Sequence, residues 1–396
     1  MSRRRVFITA AEVSGDLHAA ELVRRLKEMD PQLEIVGHGG PRMRQAGCRI
    51  IYDTTRKAAM GIGAVKRIFE MLRLVRWTRG WFIRHQPCLQ ICVDSPAMNF
   101  HFAKIAKQQG VPVLYYIAPQ LWAWRESRMK KVRRWVDRVA CILPFEEQYF
   151  RSHHVDAHFV GHPLFDELPK DRVVELSRKY PNRPPIVGLL PGSRRGEAIA
   201  NFPHLLDIAR RLNHEMPEIS FRVPTTMQTH AVVCEMVTRH SLGRFRLNAS
   251  KIHVAQDAFD RMVPECDLCL TVSGTATLHV ASYGVPMIVV YRGSPILWNI
   301  LGRFLIKTRT FSLVNLLSDD KRLVPEYVPW YGSNRPVFLH ALDYLRNPEM
   351  LAKQRQRLLD MVKRLDEQGA STNTAKMALE LIANGAKQQP LPQAGS

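Results

Sequence analysis

The sequence predicts an α/β fold built as two Rossmann-like, doubly wound domains facing a cleft. Three observations carry this. Short apolar runs alternate with helical patterns almost throughout the chain, the order that gives a parallel sheet with helices on both faces. A proline-rich interruption around Gly161–Pro185 separates two such alternating halves. The chain has 396 residues, 46% hydrophobic and 23% charged, which is ordinary globular composition and long enough for each half to bury a core.

Taken in order, Arg5–Thr9 reads as a buried strand, followed by a polar turn and a helix from about Leu17 to Met29. Leu89–Val93 is a second strand, with a helix from about Asn99, and Val111–Ile117 and Val139–Leu143 continue the alternation. Pro163, Pro169, Pro181, Pro184 and Pro185 then break the pattern, placing the boundary between a first domain of residues 1–168 and a second of 184–345. In the second half Ile186–Leu190, Ile219–Val223, Asp267–Val272 and Pro286–Tyr291 read as strands with helices between, and helices dominate from about Arg335. The polar, Pro/Gln-rich Lys387–Ser396 reads as a disordered tail.

Lys and Arg number 57 against 36 Asp and Glu, a net charge of +21, so polyanions are the natural partners: nucleic acid, anionic lipid or phosphorylated substrates. Seven cysteines, an odd count, argue against a disulfide scaffold and for a reducing compartment. The apolar run after the basic start stops at Glu12, too early for a secretory core, and no uncharged apolar run reaches about 18 residues, so a cytoplasmic address is expected, with attachment to a membrane surface left open.

Four loops stand at strand ends, where doubly wound sheets bind ligands. Ala10–Asp16 follows a strand and opens a helix; its small residues admit a ligand to the backbone, or it is simply a βα turn capped by Ser14 or Asp16. Asp94 ends the strand Leu89–Val93, where a carboxylate serves as a general base or caps the helix ahead of Pro96. Gly192, Ser193 and Arg194 form a turn suited to phosphate, or a solvated basic turn. Ser273, Gly274 and Thr275 open a helix and make a second phosphate cradle, or a capped helix start.

A fifth segment, Met60–Arg84, mixes apolar and basic residues: Val65, Phe69 and Leu72 on a helical stripe, with Lys66, Arg67, Arg73, Arg76, Arg79 and Arg84 against Glu70. It suits a helix lying on an anionic bilayer, or a core-facing helix with a basic outer face. Ser294–Phe311 is another apolar-basic stretch. No Walker loop, nucleophile elbow or D-x-D metal pair occurs, and Cys266-x-x-Cys269 lacks a partner pair and in a strand would point its thiols to opposite faces, so neither a metal nor a cofactor is expected.

Together these stretches resemble the lipid-A-disaccharide synthase family, bacterial glycosyltransferases of lipopolysaccharide assembly. The resemblance rests on Ala11-Glu-Val-Ser-Gly-Asp16, Gly40-Pro-Arg-Met43, Met60-Gly-Ile62, Val93-Asp-Ser-Pro96 with Asn99, Tyr116-Ile-Ala-Pro-Gln-Leu-Trp-Ala-Trp-Arg125, Leu143-Pro-Phe-Glu146, Phe159-Val-Gly-His-Pro163, Leu190-Pro-Gly-Ser-Arg194, Ser273-Gly-Thr-Ala-Thr-Leu278, Tyr291-Arg292 and Asn315-Leu-Leu317. Each is weak alone; their order over about residues 5–330 is specific.

The resemblance implies a B-type glycosyltransferase fold, with a C-terminal helix at about 366–386 returning to the first domain. It implies metal-independent, inverting transfer from UDP-2,3-diacylglucosamine to 2,3-diacylglucosamine 1-phosphate, on the cytoplasmic face of the inner membrane. Asp94 then corresponds to the general base, with Glu12 and Asn315 beside it in the catalytic set. Gly192, Ser193, Arg194, Ser273, Gly274, Thr275 and His279 fall to the donor. Ser14, Asp16, Met60, Val65, Lys66, Phe69, Leu72, Arg73 and Arg76 fall to the acceptor and the anionic membrane. A homodimer is compatible with this reading; nucleic acid is not a partner, since no recognition-helix or RNP-type signature is present. The chain departs from the family pattern at Ala11, Ala97, Val314 and His279, the last standing where a glutamate holds the donor ribose. A related nucleotide-sugar enzyme such as an epimerase, or a lipid-binding paralogue without catalysis, are the competing readings.

Overall fold

The structure, a computed structural model, describes residues 4–55, 64–122, 126–169, 183–241, 248–292, 310–319, 322–366 and 369–388, with the side chains at 64–68, 241, 249 and 386–388 left aside. The chain forms two compact units, Met1–Glu167 with Leu365–Ser396 and Leu168–Arg364.

The first unit is organised on a seven-stranded sheet of order β3-β2-β1-β4-β5-β6-β7. Its strands are β1 Arg5–Ala10, β2 Glu34–Gly39, β3 Arg49–Asp53, β4 Leu89–Val93, β5 Val113–Tyr116, β6 Arg138–Cys141 and β7 Ala157–Phe159. All neighbours pair in parallel. Alternation along β1 sends Val6, Ile8 and Ala10 into one apolar cluster and Phe7 into the other. Every residue of β4 is buried, which is why it reads as an apolar run interrupted only by Gln90.

The second unit has a six-stranded parallel sheet of order β10-β9-β8-β11-β12-β13. Its strands are β8 Ile186–Leu190, β9 Ser220–Thr225, β10 Ile252–Gln256, β11 Leu268–Thr271, β12 Met287–Arg292 and β13 Glu326–Trp330. Val187, Leu189, Phe202, Leu206, Phe221 and Leu270 belong to one core cluster.

The helix Ala370–Gln388 closes the first unit. It packs on the helix Val13–Met29, burying Ala370, Ala375, Ala378 and Ile382 in the cluster that holds Ala19, Ala20 and Val23. Asp166 caps its start, accepting from the backbone N–H of Ala370 at 3.1 Å and of Ser371 at 2.7 Å. The helix continues through Lys387 and Gln388, so these two residues are helical rather than part of the expected tail. The other eight residues of that stretch lie outside the described residues.

Candidate active site

Both sheets change direction between their first and fourth strands: β1 and β4 in the first unit, β8 and β11 in the second. Connections diverge on either side of such a switch point and leave a crevice at the carboxyl ends of the strands. Ala10 pairs with Val93 at one switch point, and Leu190 with Thr271 at the other. Glu12 and Asp94 follow the first pair by one or two residues; Gly192–Arg194 and Ser273–Thr275 follow the second.

Asp94 is half-buried and sits at φ 52°, with Ser95 at φ 42° behind it. Non-glycine residues in this left-handed region cost about 1–3 kcal/mol each and persist only where neighbours hold them. The holders are visible. The Asp94 N–H donates to the Tyr116 carbonyl at 3.0 Å. The Asp94 carbonyl accepts from the Tyr115 hydroxyl at 2.8 Å and from Asn99 Nδ2 at 2.6 Å. Asn99 Nδ2 also donates to the Val93 carbonyl at 2.9 Å, while its Oδ1 accepts from Thr9 Oγ1 at 2.6 Å. Gln90 Nε2 completes the chain on Thr9 Oγ1 at 2.9 Å. Asn99, Thr9 and Gln90 are fully buried, so this network fixes the bend from beneath.

The helix after β1 starts at Val13, four residues earlier than expected, and its N-cap is Glu12, without a side-chain cap. Glu12 and Ser14 are exposed. Asp16 is not: it is 1% exposed and accepts from the N–H groups of Gly40 at 2.7 Å, Arg42 at 3.0 Å and Met43 at 3.1 Å. Its carboxylate caps the short helix Pro41–Gln45, so it neither caps its own helix nor lines a surface for a ligand, as the sequence reading expected.

In the second unit the two loops are opened by glycines. Gly192 has φ 106° and Gly274 φ 144°, conformations that L side chains rarely adopt. Gly192 precedes the helix Arg195–Glu215 and Gly274 caps the helix Thr275–Ser282, and neither helix start carries a side-chain cap. Thr277 N–H donates to the Gly274 carbonyl at 3.1 Å, and the earlier first-turn N–H groups are placed where helix starts favour an anion. Ser193 is exposed, and its carbonyl accepts from Thr226 Oγ1 at 3.1 Å. Arg194 is exposed and pairs with Glu197 at 3.0 Å. Ser273 Oγ donates to the Phe311 carbonyl at 2.7 Å, and Thr275 is exposed.

Two second-unit residues take up partners the sequence did not reveal. His279 Nε2 lies 2.8 Å from Asp260 Oδ1, and its ring stacks on Phe259 at 4.3 Å and Tyr283 at 5.6 Å. Hydrogen bonding from His279 holds the Asp260 carboxyl below its ordinary value. Asn315 is 2% exposed, and both ends of its amide are engaged: Nδ2 donates to the Val324 carbonyl at 2.8 Å and Glu326 Oε1 at 2.7 Å, and Oδ1 accepts from Val324 N–H at 2.8 Å. This fastens the helix Leu313–Leu317 to β13.

On the helix Ala64–His85, Leu74, Thr78, Trp81 and Phe82 face the core. Phe69 is 69% exposed, and Leu72, Trp77 and Ile83 join it outside with Arg73, Arg76, Arg79 and Arg84. Met60 and the side chains of Val65 and Lys66 lie outside the described residues, as does most of Ser294–Phe311. Cys266 precedes β11 instead of sharing it with Cys269, and both thiols lie against Gly188; they meet rather than diverge. Among the described residues no group of three or more His, Cys, Asp or Glu could hold a metal ion.

The residues that sequence reasoning missed are the supports: Thr9, Gln90 and Tyr115 under Asp94, and Asp260 beside His279. Thr9 and Gln90 did leave a signal, as polar residues inside the otherwise apolar runs of β1 and β4.

Two parallel α/β units with reactive loops at their switch points define a protein of the B-type glycosyltransferase fold, which nucleotide-sugar epimerases share. Known structures agree: a UDP-GlcNAc 2-epimerase from Neisseria meningitidis bound to UDP-GlcNAc superposes with a TM-score of 0.57 at 12% identity, covering 96% of this chain and 99% of that one. MurG from Acinetobacter baumannii gives 0.54 at 13% identity, covering 95% and 99%. Within this fold, residues 6–381 match the lipid-A-disaccharide synthetase family model, and the chain belongs to that family. The lipid-A-disaccharide synthase of Geobacter sulfurreducens is 36% identical over 390 residues, 96% of this chain and 97% of that protein.

Proposed function

We propose that the chain joins UDP-2,3-diacylglucosamine to 2,3-diacylglucosamine 1-phosphate, forming the lipid A disaccharide 1-phosphate and releasing UDP. Family membership over nearly the whole chain supports a disaccharide-forming glycosyltransferase acting on a nucleotide sugar and a lipid-linked sugar. The observation that carries the mechanism is Asp94, held in a strained bend at the switch point of the first sheet. Its carboxylate takes the proton from the acceptor hydroxyl as that oxygen attacks the anomeric carbon, inverting the centre. Glu12, at the neighbouring strand end, adds a second carboxylate. The departing UDP is stabilised by Arg194 and by the open helix starts behind Gly192 and Gly274, where fixed donors meet developing negative charge.

The acceptor reaches the enzyme at an anionic membrane. Phe69, Leu72 and Trp77 interleaved with Arg73 and Arg76 form a face suited to acyl chains and lipid phosphates, on the cytoplasmic side of the inner membrane. Among the described residues no helix is long and apolar enough to cross a membrane. An epimerase acting on soluble sugars would leave that face without a use.

Incubation with the two acylated sugars, followed by mass spectrometry, is the test. A disaccharide 1-phosphate with stoichiometric UDP is expected; interconversion of the donor without disaccharide would replace this reading with the epimerase one.

A further inference from the structure

Next to Asp94 the first sheet carries a loop that the reaction described above does not use. It leaves β5 at Ile117, which sits at φ 59°, a left-handed conformation rare for a β-branched residue. β5 is the direct neighbour of β4, and the Tyr116 carbonyl that ends β5 accepts the Asp94 N–H. The loop start and the Asp94 bend are thus joined by one hydrogen bond. Ala118 and Leu121 anchor the loop in the core at 5% and 3% exposure. Trp122 then turns its indole N–H to Glu146 Oε1 at 3.0 Å and sets its ring edge-on to Phe145 at 5.0 Å.

Glu146 comes from the next strand over. It stands in the first turn of the helix Pro144–Ser152, after β6, and is 1% exposed. Its other oxygen accepts the N–H groups of Ile142 at 3.3 Å and Leu143 at 3.2 Å. A buried carboxyl is costly, and a neutral side chain could have packed there. Burial pushes its pKa up to about 7. What the carboxyl gains is a bridge: one oxygen on the end of β6, the other on a loop that leaves β5 beside Asp94.

We infer that Glu146 is a positioning residue for catalysis, clamping Trp122 so that the loop 117–122 forms a fixed wall of the acceptor site beside Asp94. The inference rests on the proposed function for what the wall contacts, the acylated sugar that carries the attacking hydroxyl. The clamp itself stands on the geometry alone.

The test uses the full chain and three variants: Trp122→Phe, which keeps an aromatic ring but removes the pyrrole part with its N–H, Glu146→Gln, and the double variant. Each single change should raise the acceptor KM about tenfold, the scale of one lost hydrogen bond to a charged or buried group, with donor KM and kcat within about twofold. The double variant should be no worse than the worse single, since both remove the same bridge. A merely structural role would lower the active fraction and kcat while leaving the acceptor KM alone. Unchanged acceptor KM in Trp122→Phe, or fully multiplied effects in the double variant, overturns the inference.

Amide hydrogen exchange gives a readout that needs no activity. Exchange at 117–122 should quicken about tenfold in Glu146→Gln while the helix Val13–Met29 stays protected. Unchanged exchange overturns the clamp. A wild-type chain that makes no disaccharide would defeat the proposed function, and the exchange measurement would still decide the clamp.

Discussion

At the carboxyl edge of the first sheet the chain leaves β4 through Asp94 and Ser95 at φ 52° and 42°, and leaves β5 through Ile117 at φ 59°. At the same edge of the second sheet it leaves β8 and β11 through Gly192 and Gly274, at φ 106° and 144°. At these switch points the first sheet bends on residues with side chains and the second on glycines, although elsewhere along the same edges Asp257 follows β10 at φ 51° and Gly161 follows β7 at φ 101°. At the first, the bend carries the Asp94 carboxylate that the proposed reaction uses, and it is held by the buried Gln90–Thr9–Asn99 chain. At the second, glycines open the two loops that the proposed reaction assigns to the donor diphosphate.

The largest test of this contrast is Asp94→Asn. It keeps the bend and its hydrogen bonds but removes the base, so kcat should fall about 100- to 10,000-fold while the melting temperature and UDP affinity hold. Initial rates and calorimetry on the same preparation check both halves. A fully active variant would reduce the strained carboxylate to a structural role.

The next effect separates the units by pH. His38 and His162, both in the first unit, are pushed down to about 3 by burial. The unfolded chain therefore binds protons there that the folded unit refuses, and stability falls as pH drops below about 6.5. Each histidine should remove about 2 kcal/mol by pH 5, at 1.36 kcal/mol per pKa unit. Stepwise acid unfolding followed by hydrogen exchange should show the first unit opening before the second; simultaneous opening would contradict this.

A smaller change is expected from Gly192→Ala. A Cβ there would stand 2.7 Å from Glu197 Oε2 at a φ of 106°. Donor KM should rise about tenfold as the loop reshapes, with acceptor KM unmoved, an effect of about 1.4 kcal/mol. Smallest of all is Ser95→Gly, which relieves the left-handed bend without touching the carboxylate. A gain of up to about 1 kcal/mol in stability is expected, with activity retained; a loss of stability on denaturant titration would mean that the bend carries little strain.

The legible part of the fold was the part that is buried on both faces. Leu89–Val93 and Ile186–Leu190 are strands with the bounds read from sequence, because every residue in them is buried and, Gln90 aside, none is polar. β3 and β13, at the sheet edges, are half-exposed and mix charges or proline with apolar residues, so neither period nor run betrays them. β2 hides differently: Glu34, Gly37, His38 and Gly39 break its apolar run, and a Cβ on Gly37 would meet the Ile8 carbonyl of the neighbouring strand at 1.9 Å. In the site, loops at strand ends were legible because glycine, serine and aspartate gather there. What those side chains touch was not. Asp16 facing the backbone of residues 40–43, and Asn315 fastened to β13, depend on partners far along the chain that no local pattern encodes.

The helix Ala370–Gln388 has a consequence for biosynthesis. The second unit is one unbroken stretch, Leu168–Arg364, whereas the first needs a helix from beyond that stretch. A ribosome delivers the chain from its amino terminus, so the first sheet emerges early but waits for nearly the whole polypeptide before Ala19 and Ala20 are covered. Until then the apolar face of Val13–Met29 that this helix buries has no cover from it. A chain cut short after the second unit would leave Ala19 and Ala20 of the first unit without their covering helix.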